Sequence, residues 1–117
     1  MNKKFNLEQR LIDYSVSAIE LVSRLQPTYS NNHLSNQLIR STTSTALNYG
    51  EAQSAESRRD FIHKCKIILK ELRETSVCLK ILNQTNVISE CEAFLAENEE
   101  LISIFVKSIQ TARRNNE

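Results

Sequence analysis

Glycine and proline are nearly absent, with one of each in a chain of 117 residues. Tight turns, β-sandwich loops and Gly-rich phosphate cradles depend on those two residues for their backbone conformations. All three are therefore excluded as organising features. Cysteine is sparse and odd in number: Cys65, Cys78 and Cys91 form no C-x-x-C pair. Free, mostly buried thiols in a reducing cytoplasm are expected rather than a disulfide framework. The opening MNKKFNLEQR lacks the apolar core of a secretory signal, and no run of about 18 apolar residues is long enough to span a bilayer. The expectation is a cytoplasmic protein with no membrane partner.

What is present reads as helix. Hydrophobic residues make up 40% and charged residues 25%, a globular balance. The length fits one domain, residues 1–117, and one core. Apolar positions Leu7, Leu11, Tyr14, Ala18, Leu21 and Leu25 step by four and three, as one face of a helix requires. Ile12, Ile19 and Val22 widen that stripe beyond what a single bundle seam uses. Excess apolar surface of this kind marks an interface. Pro27 ends the first helix, and Ser30 is among the N-cap candidates for the next.

The second helix is the least favoured by propensity, because Ser41 to Thr45 are all Ser or Thr. Leu34, Leu38, Thr42, Thr45 and Tyr49 nevertheless keep the helical step, and their small members permit close approach of a neighbour. Gly50 is a candidate C-cap. Ser57-Arg58-Arg59-Asp60 has the form of a capping box before a stripe of Phe61, Cys65, Ile68, Leu72, Ser76 and Leu79. Ser89-Glu90-Cys91-Glu92 is a second such box, with Phe94, Leu95, Leu101, Ile102, Phe105, Val106 and Ile109 facing inward. Helices over residues 5–26, 31–52, 57–84 and 89–112, joined by short links, predict an all-α, antiparallel up-down four-helix bundle.

Across residues 37–82 the chain resembles the small four-helix-bundle family encoded in intervening sequences of bacterial 23S ribosomal RNA genes. The resemblance rests on Gln37, Arg40, Ser44, Asn48, Glu51, Ser57, Asp60 and Phe61, with the acidic pair Glu71 and Glu74 following. The chain departs from the usual family pattern at Ser41-Thr42 and at Tyr49-Gly50-Glu51-Ala52. The resemblance implies a cytosolic bundle assembled as a homo-oligomeric ring of five subunits, with no established enzymatic activity. It also implies kinship with the accessory protein of diversity-generating retroelements, a basic ring that works with a reverse transcriptase and RNA.

Two polar patterns stand out. Gln37, Arg40, Ser44, Asn48 and Glu51 share an arc of about 80° on the second helix. They are expected to form a polar network with Glu71 and Glu74, since a half-buried Arg needs a carboxylate. The competing reading is a seam that binds a partner or lines an oligomer axis. Arg59, His63, Lys66, Lys70, Arg73 and Lys80 share about 100° of the third helix. They are candidates for binding RNA or nucleoprotein through phosphate contacts. An ordinary solvated face with a Lys70–Glu74 pair is the alternative. Residues 83–106 carry five Glu and no Lys or Arg, whereas residues 51–82 hold seven Lys/Arg against five Asp/Glu. One edge of the bundle is thus expected to be acidic and another basic, which suits contact between subunits.

Catalytic residues, metal ligands and cofactor motifs are not recognisable. His63 and Cys65 are two apart and cannot share a helix face, His33 sits near a turn, and the E-x-x-H pairs of di-metal bundles are missing. The chain is expected to be no enzyme, to use no cofactor, and to have its own copies, RNA or another protein as partner.

Overall fold

The computed structural model describes residues 6–115. Four helices follow in order: α1 Leu7–Ser23, α2 Tyr29–Gln53, α3 Arg58–Thr85 and α4 Cys91–Asn115. Among the described residues there is no strand. Each helix lies chiefly against its sequence neighbour, and the α1–α4 side is the most open. The result is a bundle 50 × 29 × 20 Å.

The ends of the helices show why they fall where they do. Asn6 Oδ1 accepts from the Gln9 N–H at 3.0 Å and caps α1, while the expected start at Phe5 lies outside the described residues. α1 stops at Ser23 rather than residue 26, because Pro27 has no N–H to give the Ser23 carbonyl. Thr28, not Ser30, caps α2, its Oγ1 accepting from Asn31 N at 3.1 Å. Ser57 Oγ accepts from Asp60 N at 3.0 Å, a cap of the kind that contributes about 1 kcal/mol. Ser89 caps nothing: it lies in a turn, and Phe94 N donates to the Glu90 carbonyl at 3.1 Å, so α4 begins two residues later than expected.

α2 survives its Ser/Thr run because the hydroxyls turn back on their own helix. Thr42 Oγ1 donates to Leu38 O at 2.9 Å, Thr43 to Ile39 O at 2.7 Å and Thr45 to Thr42 O at 2.6 Å. Groups that would otherwise compete for backbone are satisfied locally and can be buried. Ser41 Oγ meets Thr75 Oγ1 at 2.7 Å, so small hydroxyls line the close α2–α3 approach. Gly50 is not a cap. The helix runs through it to Gln53, and a Cβ there would meet nothing within 4 Å.

The core is built from the predicted stripes, except that on α4 Ile104 packs against it while Val106, expected to face inward, is only half-buried. Leu11, Leu38, Ile68, Leu72, Leu79, Leu101 and Phe105 are fully buried. Tyr49 meets Phe105 edge-on at 5.9 Å, and Tyr14 stacks on Phe94 at 4.9 Å. Among the described residues, every side-chain nitrogen or oxygen fully shut off from solvent in this core has a partner. Asn98 Nδ2 donates to Leu72 O at 3.0 Å, and the Tyr14 hydroxyl donates to Asn98 Oδ1, tying α1, α3 and α4 together. Burial pushes the Tyr14 hydroxyl well above the usual phenol range. Asn31 and Asn86 exchange amide hydrogen bonds at 3.1 and 3.0 Å at one end of the bundle. The three thiols are free and buried, and burial raises each of them, Cys65 to about 11.

Candidate functional site

The α2 polar face divides into three separate contacts, two of which reach α3. Arg40 Nη1 donates to Glu71 Oε2 at 2.9 Å and Nη2 to Glu74 Oε1 at 2.9 Å, with Gln37 Oε1 accepting from Arg40 Nε at 3.4 Å. Asn48 Nδ2 donates to Ser44 O and Oγ, both at 2.9 Å, within α2. Glu51 accepts from Lys64 Nζ at 2.6 Å, a partner that spacing along one helix could not reveal. Burial alone would raise the Glu71 carboxyl, but the hydrogen bonds and charge of Arg40 outweigh it and hold the group below the usual range. The seam is therefore a clasp between α2 and α3.

The basic face of α3 lies outside that clasp. Lys66, Lys70 and Arg73 are exposed, and among the described residues none has a carboxylate within ion-pair distance. The Lys70–Glu74 pair does not form, because Glu74 is taken by Arg40. Arg59 and His63 sit apart, around a shallow depression with Ser57 and Asp60, and Lys80 is exposed beyond the groove.

Beside Lys66, Lys70 and Arg73 runs a groove of about 730 Å³ between α2 and α3. Leu34, Leu69 and Cys78 line it, along with two residues the charge pattern concealed: Val77, 59% exposed, and Ile81, 45% exposed. Lys66, Lys70, Arg73, Val77 and Ile81 share an arc of about 80°. The step from 77 to 81, in phase with 66, 70 and 73, was the available signal. The face is basic at one end and apolar at the other.

A second surface lies on α1. Ile12, Val16 and Ile19 are 41%, 48% and 45% exposed and share an arc of about 60°. Exposed acidic residues Glu8, Asp13 and Glu20 flank them. Arg10 of α1 and Arg24 at its C-cap are engaged elsewhere. Arg10 donates to Glu97 at 2.7 Å and to Glu100 at 2.8 Å, while Arg24 pairs with Glu90. These pairs engage part of the expected acidic edge. Three of the five glutamates in residues 83–106 are thus paired with two arginines, Glu92 and Glu99 stay exposed on α4, and Glu8, Asp13 and Glu20 form a second acidic face on α1.

The α2–α3 clasp and its neighbouring surfaces occur on a fold already known. The sequence profile of the 23S rRNA-intervening sequence protein family matches residues 3–107. The chain belongs to this family. This member of the 23S rRNA-intervening sequence protein family is also similar to a crystal structure from Bacteroides thetaiotaomicron. That structure is described as a protein of unknown function from the S23 ribosomal protein family. The two are 30% identical over 88% of this chain and 94% of that one, with a TM-score of 0.80. No curated protein matches the chain.

Nothing in this arrangement points to catalysis. His33 and His63 are both exposed on separate helices. Among the described residues no three His, Cys, Asp or Glu side chains gather as metal ligands. No described helix is long and apolar enough to cross a membrane.

Proposed function

We propose that this member of the 23S rRNA-intervening sequence protein family is a non-enzymatic, self-assembling bundle that serves as a cytoplasmic scaffold or adaptor. The ring of five subunits implied by the family resemblance is its expected form. One observation carries the reading: Ile12, Val16 and Ile19 form a continuous exposed apolar stripe on a helix whose opposite face fills the core. Scattered apolar residues on a surface are ordinary, but an aligned stripe between acidic flanks is the form of an interface. Multi-angle light scattering at micromolar concentration is expected to give a mass that is a multiple of the 13.5 kDa chain. A stable monomer across that range contradicts the proposal.

A second reading has its own support. Lys66, Lys70 and Arg73 are exposed cations without carboxylate partners among the described residues. Such a row can track the phosphates of structured RNA. Binding of a structured RNA is then expected to weaken steeply with salt, and Lys66→Glu/Lys70→Glu/Arg73→Glu to weaken it at least tenfold. Affinity that ignores both salt and the substitutions dismisses RNA as the partner.

A further inference from the structure

The two open surfaces of the chain are complementary in both polarity and charge. On α1 the apolar centre is Ile12, Val16 and Ile19, and its flanks are Glu8, Asp13 and Glu20. The α2–α3 groove has apolar Leu69, Val77 and Ile81 and a row of Lys66, Lys70 and Arg73. The acidic flanks of α1 extend about 18 Å along its axis, and the groove residues of α3 about 22 Å, at 1.5 Å per residue. Among the described residues, Glu8, Asp13, Glu20, Lys66, Lys70 and Arg73 form no ion pair, Asp13 accepting only from Gln9 Nε2 at 2.9 Å, and Glu74 at the edge of the groove is held by Arg40.

Resting on the assembly reading above, we propose that α1 of one copy docks in the α2–α3 groove of the next. The occupant is a second copy of this chain rather than an unrelated protein, because the chain itself carries the matching helix. Ile12, Val16 and Ile19 would cover Val77 and Ile81, while Asp13 and Glu20, about 20° apart on one side of the stripe, would be turned toward the cations. The contact uses two different patches, so it is head-to-tail. Such a contact repeats from copy to copy until the rotation closes a ring. Each added subunit hides one acidic and one basic face, so charge complementarity also sets the direction of addition. On this arrangement the cations that make RNA a candidate partner are covered by protein in the assembled form.

The test uses two variants that leave the core and the charges untouched. Ile12→Gln/Val16→Gln/Ile19→Gln removes the apolar surface of α1, and Val77→Gln/Ile81→Gln removes that of the groove. All five side chains are at least 41% exposed, and circular dichroism confirms that each variant folds. Light scattering is expected to show each variant alone as a monomer. Mixed one to one, they retain one intact contact and are expected to stop at a dimer of 27 kDa, twice the 13.5 kDa chain. A mixture that remains monomeric, or either variant assembling like the parent, overturns the pairing while self-assembly itself stands. A parent chain that is monomeric throughout defeats both. If that monomer instead binds structured RNA, and Lys66→Glu/Lys70→Glu/Arg73→Glu abolishes the binding, the groove is a polyanion site and the inference falls.

Discussion

Asn98→Leu is expected to destabilise the bundle by about 2–4 kcal/mol, the sum of a lost hydrogen bond and an orphaned buried hydroxyl. Leucine has a similar reach, so the change removes polar partners more than volume. Asn98 is 0% exposed and holds two others, accepting from the Tyr14 hydroxyl and donating to the Leu72 carbonyl. The Leu72 carbonyl keeps its own helical bond, so the larger share of the loss falls on Tyr14, which is 2% exposed. Urea unfolding should show a lower midpoint with an unchanged slope. Tyr14→Phe supplies the decisive comparison. Alone it strands the Asn98 oxygen, but combined with Asn98→Leu it removes the orphan, so the double variant should be less damaged than the two single losses added together. Simple additivity would show that the hydroxyl and the amide are not coupled.

Arg40→Met is expected to cost about 1–3 kcal/mol at neutral pH, below the 3–5 kcal/mol of a wholly buried pair. The discount follows from Arg40 itself, whose side chain is 50% exposed and screened by water, whereas that of Glu71 is only 9% exposed. The pH dependence identifies the cause. In the parent chain the Glu71 carboxyl is held below its unfolded value by Arg40. Its contribution is therefore present above the unfolded value near 4.3 and is lost as pH falls through the folded one. Without the guanidinium, burial, the largest influence on this carboxyl, pushes the group the other way. The Arg40→Met protein should then gain stability relative to the parent as pH drops from 7 toward about 4. Urea midpoints measured across that range check the sign, and a constant gap between the two proteins rules out Glu71 as the cause.

These two sites mark where reading along the chain succeeds and where it stops. The apolar stripes of α1, α3 and α4 were legible because each buries one face, and burial imprints the helical period on residue type. Thr42 and Thr45 were legible for the same reason, despite poor propensity, since their hydroxyls are satisfied one turn back. Arg40 could be matched to Glu71 and Glu74 because a half-buried guanidinium demands a carboxylate. Asn98 was not legible. A lone Asn within a stripe looks like a break in period until the Tyr14 hydroxyl is seen beside it. Charge pairs between helices were hidden as well. Lys64 with Glu51, and Arg10 with Glu97 and Glu100, depend on how helices lie against each other. That hidden pairing engages part of the acidic edge expected near α4, while the acidic residues beside the apolar stripe of α1 have no ion pair. Ser89 misled because its spacing suits a cap while its Oγ turns to its neighbour Glu90.

The order in which helices touch has a consequence for how the bundle forms. Since α1 lies on α2, α2 on α3 and α3 on α4, most of the structure can grow by closing one short link at a time. Contacts so close in sequence favour rapid folding, because little chain entropy is spent on each closure. Only the α1–α4 side joins opposite ends of the chain, through Tyr14 on Phe94 and Arg10 on Glu97. That side is the natural last step of folding and the first seam to open under load. A neighbouring copy that gripped α1 would hold the one helix with the fewest ties to the rest, and so would brace the chain where it is loosest.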